Sequence, residues 1–518
     1  MARYKRYDYD QMMLVPVSLE EQLVPGTLEY AIHHIVEERL DLSIFDERYC
    51  NDEIGRKAIS PKVLIKTVLF GYSRGMISSR SLERACKENI TFMALTCGQQ
   101  PDHSTIAAFV SSINDEIDYL FTTVLLICEE EGLLGGTHFS LDGLKLSSNA
   151  SKEWSGKLSD LEKKQQALNR KVKEAVKEHR AEDKRIGRKP NSDRKRREKR
   201  IKRLKQKADR IEQFLSKNEP KIGTRGKEIQ SNVTDNESAK MATSHGVVQG
   251  YNANAIVDEK HQVVMHAEAF GKGDDSSIMQ PMLEGVEEKL EAIGWDEPLK
   301  SRTISADTGY YSVKNLEACK GFEVDAYIPD PQFCKRDVRF KDARRHRRSV
   351  DKRKEKYKTK QFFRVEDFKL DDRTGKLICP AGHGLYVKNR NFKLKKGGYK
   401  GIAYQAPKTA CRDCKLRSKC LRNPKTVSRQ VHVFYGNRPG SLTDAMKQKI
   451  DTPEGRRTYS KRLGIVEPVF GNIRTCKRMD RFTLRGKIKV NIQWMLYCLV
   501  HNIEKIINYG TSYNMEPT

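Results

Sequence analysis

Apolar residues recur every three or four positions through LEYAIHHIVEERLDL and PKVLIKTVLFGYSRG, the period of amphipathic helices. Pro61 suits the first turn of the second of these. Two further segments, SSRSLERACKEN and DHSTIAAFVSSI, open on residues able to cap a helix: Ser78 or Ser79, and Asp102 or Ser104. FTTVLLIC has the length of a core helix, so residues 1 to about 135 read as nearly all helical. The period then switches to two. Phe139 and Leu141 alternate with Ser140 and Asp142 in HFSLDGLKLSS, which predicts a strand with Asp142 on one face. Helical spacing returns between 152 and 228 in two runs, Leu158, Leu161, Leu168, Val172, Ala175 and Ile201, Leu204, Ala208, Ile211, Leu215, patterned as a coiled-coil seam. The turn residues Gly187, Pro190 and Asn191 separate them, so the pair reads as an antiparallel hairpin.

From residue 244 strands and helices alternate. YNANAIVD and QVVMHAEAF read as a strand hairpin, and SSIMQPMLEGVEEKLEAIG as an amphipathic helix. RTISADTGYYS reads as a buried strand ending at Asp307, NLEACK as a helix, and VDAYIP as another strand. Counting HFSLDGLKLSS, the order is three strands, helix, strand, helix, strand, which is that of an RNase H-like core. The expected fold class is therefore α/β. An all-helical segment (1–135) precedes the first core strand (136–151); a basic coiled-coil hairpin insertion (152–228) and the rest of the core (229–329) follow. Residues 330–450 interrupt the pattern with a basic, Cys-rich insertion, and 451–518 return to helix, ending in VNIQWMLYCLVHNIEKII, a helix expected to pack on the sheet.

Charge narrows the function. Lys and Arg number 97 against 69 Asp and Glu, a formal +28. Solubility needs far less, so a polyanionic partner is indicated, because phosphate contacts release counterions. A generally basic, ribosome-associated protein is the alternative. The run DRKRREKRIKRLKQK on the hairpin fits either a DNA backbone contact or a solvated coiled-coil face. The start, MARYKRYDYDQ, lacks an apolar signal stretch, and no window approaches the ~20 apolar residues needed to cross a bilayer. A soluble, cytoplasmic protein without a membrane partner is expected.

Phosphodiester chemistry needs an activated oxygen nucleophile and a stabilised leaving oxygen. Two Mg²⁺ ions held by a few convergent carboxylates supply both. Three acids fit. Asp142 lies within a strand and precedes Gly143; Asp307 ends a strand just before Thr308 and Gly309, where open α/β sheets place ligands. Glu467 lies in YSKRLGIVEPVFGNIR, placed near the start of a late helix because Pro468 suits a first turn. Arg474, two helical turns on, would share its face, and Arg462 and Tyr459 precede it. A cation beside a metal-binding carboxylate can hold scissile phosphate oxygens. Singly, each acid has a bland explanation, and an Asp near a strand end is more often a turn or cap residue.

The segments LDGLKLSSNAS, VQGYNANAIVDEKHQVV, ISADTGYYS, YSKRLGIVEPVFGNIR and RFTLRGKIKVNIQWMLYCLVHNIEKI together resemble the DDE transposases of bacterial insertion sequences. The closer resemblance is to the group with an all-helical amino-terminal domain and a Tyr-Arg-Glu-Lys signature. It implies catalysis by Asp142, Asp307 and Glu467 holding Mg²⁺ (or Mn²⁺), with Tyr459 and Arg462 as the signature's Tyr and Arg. Arg474 stands where the signature has Lys, keeping the charge but exchanging an ammonium for a planar fork. The family also implies strand cleavage and strand transfer on double-stranded DNA, recognition of terminal inverted repeats, at least a homodimer in the active complex, and association with the bacterial nucleoid. A nuclease that does not join, a transposase-derived binding protein without catalysis, and an RNA-binding protein remain the rival readings. Gln249, Asn252 and Asn254 are polar residues that could face the active site or serve turns and edges.

Cys379, Cys411, Cys414 and Cys420 form C-x31-C-x2-C-x5-C, the usual makeup of a structural Zn²⁺ site, with His383 as an alternative fourth ligand and free thiols as the other reading. The remaining cysteines are isolated, as in reduced cytosolic proteins.

Overall fold

The structure, a computed structural model, describes residues 16–49, 57–186, 192–223, 226–243, 246–336, 362–393, 400–434 and 442–513. The segment MARYKRYDYDQ, the hairpin turn at Gly187, Pro190 and Asn191, and the basic run 341–360 lie outside the described residues. The chain divides into two compact units, 1–329 with 453–518, and 330–452.

Six helices open the first unit: α1 (Leu28–His34), α2 (Pro61–Ser73), α3 (Ser79–Glu88), α4 (Ile90–Leu95), α5 (His103–Ser112) and α6 (Glu116–Glu130). Their starts follow the side-chain chemistry of the orphan amides there. Ser60 caps α2 with Pro61 in its first turn, Ser78 caps α3 through Ser81 N, and Asp102 caps α5 through Ser104 N and Thr105 N.

The central sheet is built from β1 (His138–Ser147), β2 (Ala239–Thr243), β3 (Gly246–Asp258), β4 (Val264–Phe270), β5 (Thr303–Ala306) and β6 (Asp325–Tyr327). β3 lies antiparallel to β1 and takes both β4 and the short β2 on its other side; β5 and β6 follow β1 in parallel. Without β2, the five core strands stand in the order 3-2-1-4-5 with only the second antiparallel. The crossover helices are α9 (Met279–Ala292) and α10 (Val313–Gly321); between β1 and β2 run α7 (Leu158–Ile186) and α8 (Ser192–Lys217), which pack on each other. The base of that pair has an apolar core, in which Leu161, Ile211, Phe214 and Val233 are buried.

The last two helices are α11 (Pro453–Gly471) and α12 (Lys487–Tyr509). α12 is apolar almost all round and is accordingly buried, between β4 and the helices α6 and α2. Its Tyr497 ring stacks on Tyr72 at 4.5 Å. Asn502 closes the edge of β4: its Oδ1 accepts from Val264 N and its Nδ2 donates to Val264 O, both at 2.8 Å. An edge strand's unpaired amides are thus satisfied by one side chain.

One sequence expectation is corrected in α11. Glu467 is not near the start of its helix. The helix begins fourteen residues earlier at Pro453, which takes the first-turn role, and Pro468 lies inside it. An internal proline strands the carbonyl four residues back, and Gly464 O is paired by Gln262 Nε2 at 2.9 Å. A π-helical turn, Asn472–Cys476, follows α11 and carries Arg474. The strand expected to end at Asp307 stops at Ala306, and Asp307 instead caps a 3₁₀ turn.

The second unit is unexpectedly rich in β structure. It carries an antiparallel sheet of β7 (Lys369–Asp371), β8 (Lys376–Ile378), β9 (Gly384–Lys393), β10 (Lys400–Gln405) and β11 (Gln430–Phe434), paired in chain order. Its core is Phe368, Leu377, Leu385, Tyr404, Ala406 and Val431. Lysine and arginine alternating with few apolar residues hid these strands from the period-two reading.

Candidate active site

The pair Leu141 and Ala306 is the last in register between the parallel strands β1 and β5. Asp142 and Asp307 are the next residue on each, so the topology sets two carboxylates side by side at the carboxyl end of β5. Asp142, Asp275, Asp307, Lys145, Tyr310 and Arg474 line one cleft.

Asp142 is largely buried, and burial pushes its carboxyl up to about 6 against the pull of Arg462, with Asp307 adding to the rise. Its Oδ2 accepts from Arg462 Nη1 at 2.7 Å and its Oδ1 from Gly143 N at 2.8 Å. Arg462 comes from α11, is only 8% exposed, and has Tyr459 5.9 Å from its guanidinium carbon. Gly143 is required by close approach: a Cβ there would sit 2.6 Å from Asn254 Oδ1 and 2.9 Å from Asn252 Oδ1. Asn254 Oδ1 accepts from the buried Tyr310 hydroxyl at 2.5 Å. Gln249, Asn252 and Asn254 are all buried rather than at turns, and Asn252 and Asn254 back the cleft.

Asp307 Oδ1 accepts from Gly309 N at 2.7 Å. Glu467 is exposed on α11 and is not among the residues lining the cleft. Arg474, also exposed, does line it. Of the sequence candidates, the fold brings together Asp142, Asp307 and Arg474 in the cleft and Arg462 on Asp142; Glu467 is not one of the lining residues.

Asp275 was missed by sequence reasoning. It sits in GKGDDSS between β4 and α9, and two aspartates in a Gly- and Ser-rich loop look like an ordinary turn. Burial raises its carboxyl, with Lys145 and Asn252 opposing.

An all-oxygen donor set suits Mg²⁺ or Mn²⁺ rather than softer ions. Among the described residues, no three His, Cys, Asp or Glu side chains close to ligand distance round one point. The carboxylates share the cleft, while Asp142 is turned into its pair with Arg462. In the second unit, Cys379, Cys411, Cys414, Cys420 and His383 line a single pocket, again without closing to ligand distance. The turn after β8 is tight: Cys379 N donates to His383 O at 2.9 Å, and His383 N to Cys379 Sγ at 3.3 Å. Burial raises the Cys420 thiol, and the other three cysteines add to the rise.

Compared with known families, residues 17–112 match the transposase domain DUF772, and residues 378–507 match the transposase DDE domain. No curated protein and no solved structure matches the chain. The two family matches support an insertion-sequence DDE transposase, the family the motifs resemble. The second match includes Tyr459, Arg462, Glu467, Arg474 and the four cysteines; Asp142 and Asp307 lie outside both. Among the described residues, no helix is long and apolar enough to cross a membrane.

Proposed function

We propose that the protein binds the ends of an insertion sequence and catalyses Mg²⁺-dependent DNA cleavage and strand transfer from an RNase H-like core. The observation that carries this reading is the adjacency of Asp142 and Asp307 on neighbouring parallel strands of a 3-2-1-4-5 sheet, in a cleft with basic side chains. Asp142, Asp307 and Glu467 would hold the ions, which polarise the scissile phosphate and ease deprotonation of the attacking oxygen. Glu467 would reach them from the solvent side of α11. Arg462 holds Asp142 in place, while Lys145 and Arg474 offer charge to phosphate oxygens along the cleft.

The capped helices α3 and α5, which pack on each other, suit reading of terminal repeats in duplex DNA. Arg196, Arg200 and Arg203 share one side of α8 and suit contact with the DNA backbone. The four-cysteine pocket would take a structural Zn²⁺. Cutting two element ends together calls for a homodimer, and the site of action is the bacterial nucleoid.

A second reading is a DNA-binding protein without catalysis, in line with Glu467 not being one of the residues that line the cleft. A labelled duplex carrying the DNA that flanks the gene, incubated with Mg²⁺ and either wild type or Asp307→Ala, separates the two. Joined products from wild type alone support the transposase. Cleavage without joining indicates a nuclease, and binding with no chemistry in either protein indicates the second reading.

A further inference from the structure

The cleft contains a carboxylate that the three-acid scheme does not use. Asp275 Oδ1 accepts from Asn252 Nδ2 at 2.6 Å, and its Oδ2 lies 3.6 Å from Lys145 Nζ. A Cβ built on Gly309 would lie 2.8 Å from Asp275 Oδ2 and 2.9 Å from Asp307 Oδ1. The two carboxylates thus converge on one small space that only a glycine leaves open. Asn252 fixes the direction of the Asp275 carboxylate. Its side chain is fully buried, and its Oδ1 has no hydrogen-bond partner and faces Gly143, beside Asp142. An unpaired buried amide oxygen is costly, and it persists here because its Nδ2 is committed to Asp275.

We propose that Asp275 is a fourth acidic ligand of the catalytic centre, sharing a divalent cation with Asp307, and that Asn252 is the positioning residue that aims it. The inference rests on the metal-dependent reading of the cleft. The pair supplies two oxygen donors at one edge of the space, which suits an ion that completes its shell with water and phosphate. Asp142 is engaged by Arg462, so Asp275 and Asp307 are the two carboxylates that face the space over Gly309. Lys145, the nearest cation, occupies the ion's place electrostatically until binding displaces it. The neighbouring Asp274 differs: it is exposed, and its Oδ1 only caps Ser276.

The test is Mn²⁺ binding to the full chain, followed by electron paramagnetic resonance without DNA. Wild type, Asp275→Asn, Asp307→Asn and Asp274→Asn are compared, with thermal melts to establish folding. Asp275→Asn and Asp307→Asn should each weaken binding by at least about tenfold, the lower range for disturbing a metal's surroundings, with Asp274→Asn like wild type. Asp275→Cys supplies a gain of signal: a thiolate there should add Cd²⁺ charge-transfer absorption to that of the four-cysteine pocket, which wild type and the variant share. Undiminished Mn²⁺ affinity in a folded Asp275→Asn, with affinity lost in Asp307→Asn, overturns the role of Asp275 and leaves the transposase reading intact. Absence of Mn²⁺ binding by wild type overturns both.

Discussion

Replacing Arg462 tests how β1 and α11 are joined. The Arg462 side chain is 9% exposed and that of Asp142 21%, at 2.7 Å. Removing one member of a buried ion pair strands the other, at a cost of about 3–5 kcal/mol. Arg462→Met should lose roughly that much, because the Asp142 carboxylate keeps only Gly143 N as a donor. Asp142→Asn should lose somewhat less: an amide oxygen can still accept from Arg462, although the guanidinium Nε is already unpartnered. The double variant exchanges the pair for neutral groups, so its loss should fall short of the summed single losses by about 2–3 kcal/mol. Urea denaturation in chelator at about pH 8, where Asp142 is ionised, measures all four proteins. Fluorescence reports the relevant unit, since Trp154, Trp295 and Trp494 all lie in it. Additive losses within about 0.5 kcal/mol would refute the coupling. The strand and helix would then be joined by packing alone.

Asn502→Ala should destabilise the first unit by about 2–6 kcal/mol, since both Val264 backbone groups lose their partner; hydrogen exchange at the Val264 amide should accelerate, and an unchanged rate would count against the clamp. His266 and His501 are buried, and burial holds both imidazoles down to about 3. Their folded pKa lies below the unfolded value of about 6.5, so their contribution is complete above that pH and is lost as pH falls toward 3. Between pH 6.5 and 5 each should cost about 2 kcal/mol; in His266→Leu the stability curve should flatten by that amount relative to wild type, and parallel curves would refute it. Purified protein should carry about one Zn²⁺ per chain, Cys414→Ser should lose it, and metal analysis showing equal content in both would return the cysteines to free thiols.

What the sequence determined by itself is local. Periods of 3.6 and 2 gave the helices of the first 130 residues and the core strands, because burying one face imposes that spacing. Pro61 placed the start of α2, and capping residues those of α3 and α5, since orphan amides need a partner within three residues. The motif around Glu467 was legible as family resemblance, but the start of its helix was not, because Pro468 is tolerated in the interior where Gly464 O finds Gln262. Tertiary structure alone decided which distant residues meet. Nothing local announces that Asp275, in a turn-like loop, stands beside Asp307, or that Arg462, 320 residues along the chain, grips Asp142. It also decided that Arg474 lines the cleft, from a π turn that has no sequence signature. Spacing along the chain encodes which face of an element is buried. Register between strands and the phase of a packed helix depend on contacts made only once the core has closed.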